Sequence, residues 1–126
     1  NLKGIQKMTG KYLINSQYGT DDLEKATIAM IIASSAAAMD GETAMFLTSE
    51  SVRLATKGGT DGLGVEGYPA IGDLLDAYRD NGGQLWVCPV CAAARGIGAD
   101  DLTDGAEIAG AARTIGFVND GARLLT

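Results

Sequence analysis

Two cysteines separated by two residues carry the most reactive side chains in this sequence. Cys88 and Cys91 form a C-P-V-C motif after the apolar run Gln84–Val87 and before an alanine-rich segment. This order predicts a strand-to-helix junction, where backbone N–H groups and the helix dipole favour a thiolate. We expect Cys88 to be the reactive sulfur, with Cys91 able to donate to it or resolve it. Arg95 would share a helical face with Cys91 and reach either an anionic adduct or only the polar surface.

The composition narrows the chemistry that is open to these thiols. The chain has no histidine, which excludes Ser-His-Asp triads, Cys-His pairs and His-containing zinc sites. A thioredoxin-type site faces a cis-proline from later in the chain, whereas Pro89 is the last proline. Two thiolates fill a tetrahedral metal site only if subunits share it, so we predict no metal. We also predict no organic cofactor, because attack of a thiolate on a sulfur–sulfur bond needs only a low-pKa thiol and access. Persulfide or disulfide chemistry on Cys88 is the leading interpretation. The alternative is that both cysteines are buried and serve only as small hydrophobic side chains.

Strands alternate with helices along the chain. We expect Thr20 or Asp21 to cap the first helix. The alternation predicts right-handed crossovers, and hence an α/β fold with three α/β/α layers, a mainly parallel sheet of about five strands and a single domain of residues 1–126. The predicted strands are Lys11–Ser16, Glu42–Thr48, Gln84–Val87, Glu107–Ala109 and Ala122–Leu125. The predicted helical segments are Leu23–Met39, Ser51–Leu54, the stretch between Pro69 and Asn81, the alanines after Cys91, and Ala111–Val118.

Two turns that follow predicted strands could bind a substrate. They are Tyr18-Gly19-Thr20 after the first strand and the turn at Ser49 after the second. In a parallel sheet, ligands collect outside the carboxyl ends of the strands, the same edge that carries Cys88. The alternative for Thr20 and Ser49 is ordinary helix capping.

A glycine motif in the middle of the chain also matches a nucleotide-binding pattern. Gly62–Gly67 reads G-x-G-x-x-G, but it lies about fourteen residues past the second strand, whereas the dinucleotide fingerprint begins directly after a strand. We therefore interpret this segment as a mobile lid or partner-facing loop.

Charge and hydropathy exclude two classes of partner. The 10 Lys and Arg residues against 16 Asp and Glu give a net charge of −6, and without a basic run we expect no nucleic-acid binding. The uncharged stretch Ala26–Met39 is shorter than the roughly 20 residues that cross a bilayer, so we expect no membrane insertion. Two cysteines this close in sequence cannot staple distant segments, which favours the reducing cytoplasm.

At VCPVCAAARGI the chain resembles the DsrE/DsrF-like family, which includes the TusD sulfur-relay proteins. The resemblance extends over NSQYGTDDLEKA, ETAMFLT and IGDLLDAY, and so over nearly the whole domain. It implies a sulfur-accepting cysteine in a C-(x)6-R-G arrangement, which falls on Cys88 with Arg95 and Gly96. Cys91 makes this the C-P-x-C variant. The implied function is a sulfur carrier or sulfurtransferase that exchanges sulfur with donor or acceptor proteins or small persulfides.

The resemblance also implies assembly, since family members form trimers or hexamers. Ile28, Ile32 and Ala36 point away from the main apolar stripe of the first helix, and we expect a homotrimer or homohexamer to bury them. Alternatively, the loop Lys57–Gly67 covers them within a monomer. Two other functions stay open: a non-enzymatic module that binds a ligand or partner, and a dithiol redox protein that uses Cys88 and Cys91.

Overall fold

The computed structural model, described for residues 10–39 and 41–125, is built on a five-stranded sheet with the order β4-β3-β2-β1-β5. Every neighbouring pair in the sheet is parallel, which confirms the predicted α/β fold. Residues 1–9, 40 and 126, which the single-domain prediction includes, lie outside the described residues. The strands are β1 (Lys11–Ser16), β2 (Glu42–Leu47), β3 (Gln84–Val87), β4 (Ala106–Ile108) and β5 (Arg123–Leu125).

Within residues 10–39 and 41–125, four α-helices and two 3₁₀ helices connect the strands. The steps from β1 through β4 all move the same way across the sheet, and right-handed crossovers therefore put their helices on one face. The step from β4 to β5 moves back, which puts its helix on the opposite face. The helices are α1 (Leu23–Ala38), α2 (Ile71–Asp80), α3 (Pro89–Ala94) and α4 (Ala111–Asn119), with 3₁₀ helices at Ser49–Ala55 and Ala99–Asp101.

The hydrophobic core consists of one large and one small cluster, because most of the helices lie on one face of the sheet. Side chains alternate along the strands, so Ile14 and Met45 join the large cluster beneath α1 and α2. Leu13 and Trp86 join a smaller cluster on the opposite face, where α4 is the covering helix. Trp86 meets Phe117 of α4 edge to face, with ring centroids 5.3 Å apart. The sheet thus has one heavily covered face and one lightly covered face.

The first helix begins one residue later than the predicted cap. Asp22 is the N-cap, and its carboxylate accepts a hydrogen bond of 3.1 Å from the Lys25 N–H. The Asp21 carboxylate instead accepts 2.8 Å from the Gly19 N–H, which closes the turn before the helix. The prediction of a Thr20 or Asp21 cap is therefore wrong, because the turn uses Asp21 before the helix starts.

The second apolar face of α1 is narrower than the sequence suggested. Ala36 is buried within this chain, and Ile32 is half-buried against the large cluster. Helix α2 packs beside α1 on the same sheet face, so α1 is covered on two sides. Only Ile28 of the three predicted interface residues is exposed, at 42%. Among the helices of the described ranges, none combines the length and apolarity required to cross a membrane.

The glycine motif lies in the connection between the first 3₁₀ helix and α2. Gly62 and Gly67 have φ angles of +72° and +86°, which belong to turns and are costly for other residues. The segment borders a cavity of about 630 Å³ together with the start of α2, and the residues around this cavity include neither cysteine. The motif therefore lacks the strand-to-helix context of a dinucleotide fingerprint, as expected.

Candidate functional site

The carboxyl ends of the central strands bring the predicted site residues to one edge of the sheet. The hydrogen bonding of the sheet continues one residue past the strands. The Thr48 N–H donates a hydrogen bond of 2.9 Å to the Ser16 carbonyl, and the Cys88 N–H donates one of 3.0 Å to the Leu47 carbonyl. Cys88 is therefore held in register with β2 at the point where β3 ends. This is the edge at which parallel sheets collect ligands.

Cys88 is the N-cap residue of α3 and a free thiol. It is only 8% exposed, whereas the neighbouring Val90 is 74% exposed. The first intrahelical bond, from Ala92 N–H to the Cys88 carbonyl, measures 3.0 Å. Pro89 has no N–H, which leaves Val90 and Cys91 to supply the unbonded N–H groups of the first turn. Helix α3 has only six residues, so the dipole at its amino end is small.

Cys91 occupies a different environment from Cys88. It is a free thiol of intermediate exposure and packs against the large apolar cluster. Cys91 is therefore the more solvent-accessible of the two residues, a ranking that no pattern in the sequence indicates.

Arg95 caps the carboxyl end of α3 and is bound by two protein groups. Its Nη1 donates 3.1 Å to the Cys91 carbonyl, and its Nε donates 2.6 Å to the Glu50 carboxylate. Most of the Arg95 side chain is buried. The guanidinium is thus held at the cysteine turn and does not extend freely over the polar surface.

Sequence reasoning missed two residues of this site, Glu50 and Arg53. The Glu50 carboxylate accepts hydrogen bonds from Arg95 and, at 3.0 Å, from Nε of Arg53. These two guanidiniums lower the pKa of Glu50 below its ordinary value, and the hydrogen bond from Arg95 has the larger effect. A signal was present, because Glu50 and Arg53 are three residues apart on a helical turn that directly follows a predicted strand. What the sequence could not show is that this turn lies against α3.

The turns predicted to bind substrate meet at Glu50. The Gly19 backbone approaches so closely that an added Cβ would lie 2.6 Å from the Glu50 carbonyl oxygen. Ser49 is exposed and adopts a φ of +52°, the left-handed region. The structure therefore brings Gly19 and Ser49 beside the Glu50 and Arg95 pair.

Tyr18 and Thr20 lie differently. Tyr18 borders a cavity of about 200 Å³ beside α1, and the Lys25 ammonium lies 4.9 Å from the centroid of its ring. Thr20 is exposed. A substrate-binding role for these four turn residues stays a prediction.

We also examined the described residues for side chains grouped as metal ligands. Within residues 10–39 and 41–125, the structure contains no group of three or more His, Cys, Asp or Glu side chains placed to hold an ion. The groups that this edge offers are two thiols, two guanidiniums and one carboxylate.

The sequence and the fold place the chain among known proteins. The model of the DsrE/DsrF-like family matches residues 10–126. The chain belongs to the DsrE/DsrF-like family. The uncharacterized protein MJ0760 of Methanocaldococcus jannaschii is 31% identical over 115 residues, which are 91% of this chain and 42% of that protein. The chain thus spans less than half the length of this relative.

Two solved structures share the family fold with this chain. The ychN protein from E. coli superposes with a TM-score of 0.67 at 19% identity, covering 93% of this chain and 100% of that chain. MTH1491 from Methanobacterium thermoautotrophicum, a protein of unknown function, superposes with a TM-score of 0.67 at 13% identity. The match covers 93% of this chain and 98% of that chain. At these identities the likeness shows the fold alone.

Proposed function

We propose that this protein is a cysteine-based sulfur carrier or sulfurtransferase in which Cys88 holds a sulfane sulfur as a persulfide. The observation that carries the proposal is the arrangement of two free thiols and Arg95 at the carboxyl edge of the sheet. These residues fill a C-P-x-C-x3-R-G pattern, which we propose as a variant of the family motif. Membership of the DsrE/DsrF-like family supports a role in sulfur transfer.

The proposed reaction needs only a thiolate and a sulfur–sulfur bond. The Cys88 thiolate attacks the terminal sulfur of a donor persulfide, R–S–SH, and forms a new S–S bond. The donor S–S bond breaks, and its electron pair leaves on the donor sulfur, which takes up the proton released by Cys88. The balance is Cys88–SH plus R–S–SH giving Cys88–S–SH plus R–SH, and an acceptor thiol removes the sulfur by the same exchange. No metal or organic cofactor enters the reaction.

Access to Cys88 shapes the proposed partners. Because Cys88 is 92% covered while Val90 is largely exposed, a donor meets the Pro89-Val90 turn before it reaches the sulfur. We propose that donors and acceptors are small persulfides or proteins that engage this turn. The exchange takes place in a reducing compartment such as the cytoplasm, where both thiols stay free.

Mass spectrometry of the intact protein tests the proposal. Incubation with glutathione persulfide should add one sulfur atom to the wild type, and a reductant should remove it. Cys88→Ser should lose this gain, and Cys91→Ser, the matched control, should keep it. A wild type that gains no sulfur would refute the carrier function.

The burial of Cys88 favours a second candidate function. A thiol this enclosed also fits a non-enzymatic module that binds a ligand or partner at the same edge. Alkylation by iodoacetamide at neutral pH separates the two, because a structural thiol stays unmodified in the folded protein. The two neighbouring free thiols also fit a dithiol redox protein, which would show a two-electron potential that either single Cys→Ser variant abolishes.

A further inference from the structure

The carboxylate of Glu50 is shared between two guanidiniums. Arg53 binds Oε1 at 3.0 Å and Arg95 binds Oε2 at 2.6 Å. One negative charge therefore faces two positive charges, and the triad of Glu50, Arg53 and Arg95 keeps a net charge of +1. If Arg53 were absent, the Glu50 carboxylate would neutralise Arg95 alone.

The triad delivers this charge to the turn that carries the cysteines. Nη1 of Arg95 lies 3.1 Å from the carbonyl oxygen of Cys91. That oxygen and the Cys91 sulfur are each two covalent bonds from the same Cα. The 3₁₀ helix that bears Glu50 and Arg53 packs against α3, which begins directly after Cys88. The positive charge is therefore held beside the C-P-V-C turn.

Few other charged groups lie in the elements around α3. Helix α3 carries no ionisable side chain except the Cys91 thiol. In the following 3₁₀ helix, Asp101 accepts from the Gly98 N–H and Asp100 is exposed. On the opposite face of the sheet, Glu107 and Arg113 form an ion pair of 2.9 Å that is neutral as a unit. Among the described residues, the Arg95 guanidinium is the positive group that hydrogen-bonds to this turn.

We propose that Glu50 and Arg53 are positioning residues that hold Arg95 at the cysteine turn and set the net positive charge it presents to the thiols. Glu50 fixes the Arg95 guanidinium in place and partly neutralises its positive charge. Arg53 binds the same carboxylate, so the negative charge of Glu50 is shared and Arg95 keeps more of its positive charge. The inference rests on the proposed function, because a positive charge at this turn favours the thiolate that sulfur transfer requires.

Opposite shifts in the pH dependence of alkylation test this charge balance. Glu50→Gln retains an oxygen that accepts from Arg95 but raises the triad charge to +2, so the alkylation profile should move to lower pH. Arg53→Gln lowers the triad charge to zero, so the profile should move to higher pH. The double variant restores +1 and should lie near the wild type. Each single shift is expected to be on the order of half a pH unit and smaller in high salt.

Peptide mass spectrometry follows iodoacetamide labelling of Cys88 and Cys91 separately across pH 6 to pH 10. This range brackets the pKa of a free cysteine in solution, about 8.5. Arg113→Gln is the control, since its ion pair lies on the other face. Unmoved profiles, or profiles that move the same way in both variants, overturn the proposal. A wild type that gains no sulfur from a persulfide refutes sulfur transfer while leaving these shifts in place, which separates the two failures.

Discussion

The backbone of Gly19 lies against the carbonyl group of Glu50, so closely that a Cβ at Gly19 would be 2.6 Å from that oxygen. This contact joins the turn after β1 to the turn after β2. Because Glu50 holds Arg95 at 2.6 Å, a chain of direct contacts runs from the first strand to α3. The position of the cysteine turn thus depends on a glycine about seventy residues earlier, as expected for a site assembled from successive strand ends.

Replacing Gly19 with alanine should destabilise the protein by about 1–3 kcal/mol, the usual cost of forcing extra atoms into a packed region. Urea denaturation measures the change. Gly116→Ala is the matched control: Gly116 lies within α4 and a Cβ there meets nothing within 4 Å. That variant should gain up to about 1 kcal/mol from helix propensity. Equal effects of the two substitutions would contradict the close contact at Gly19.

Ser49 holds a left-handed backbone conformation, with a φ of +52°. This conformation costs a residue with a side chain about 1–2 kcal/mol, and a β-branched residue at least as much. Ser49→Gly should therefore keep or raise the free energy of unfolding, and Ser49→Val should lower it by about 1–2 kcal/mol. Thermal unfolding of both variants tests the order. A valine variant as stable as the glycine variant would show that the turn is not left-handed.

The pKa of Glu50 predicts how stability responds to acid. Arg95 and Arg53 lower this pKa from its ordinary value of 4.5, so ionised Glu50 stabilises the folded state at pH values above 4.5. Its contribution is lost as the pH falls through the lowered pKa of the folded state. Urea denaturation should show the wild type more stable than Glu50→Gln at pH 7, with the difference shrinking toward pH 3.

Arg95→Gln provides the control for that experiment. In this background the carboxylate has lost its first partner, so the effect of Glu50→Gln at pH 7 should be smaller than in the wild type. An effect of Glu50→Gln that is the same at pH 3 and pH 7 would mean that the ion pairs do not contribute.

The sequence predicted the elements well because each follows from local pattern. Apolar runs such as Gln84–Val87 and the i, i+3, i+4 spacing around Leu75 depend only on neighbours in the chain. The cap of α1 was misplaced because Asp21 and Asp22 are chemically equivalent in sequence. Only the three-dimensional turn shows that the Asp21 carboxylate is already used by Gly19.

The candidate site was only half visible in the sequence for a related reason. Cys88 and Arg95 belong to one motif, whereas Glu50 is 45 residues away from Arg95. A contact of that separation depends on strand order, which neither composition nor periodicity encodes. The accessibility of Cys91 relative to Cys88 likewise depends on how α3 packs against the apolar cluster.

The buried ring of Tyr78 closes the end of α2 onto the sheet. Its hydroxyl donates 2.7 Å to the Gln84 carbonyl, and burial raises the pKa of this phenol. Tyr78→Phe should lower the free energy of unfolding by about 1–2 kcal/mol, because a partly buried carbonyl loses its partner. Tyr12→Phe, on the half-buried tyrosine of β1, is the comparison and should cost less. A Tyr78 that ionises near pH 10 in the folded protein would contradict its burial.

We propose that the protein assembles as a homotrimer or homohexamer, and that the lightly covered face of the sheet forms the interface. Ile115 of α4 is 66% exposed and Leu124 of β5 is 64% exposed. Leu124 pairs with Leu13, which belongs to the cluster beneath α4, so both exposed side chains are on the α4 side of the sheet. On α1, by contrast, Ile28 is the residue of the predicted strip that stays exposed.

Substitution of each surface in turn locates the interface. Burying two large apolar side chains favours association by about 1.5–3 kcal/mol each, and a buried unpaired carboxylate costs more than that. Ile115→Asp should therefore reduce the mass in solution to that of one 12.9 kDa chain, whereas Ile28→Asp should leave the assembly intact. Sedimentation equilibrium at micromolar concentration measures both. A wild type that sediments as a single chain would refute the assembly, and dissociation by Ile28→Asp alone would move the interface to α1.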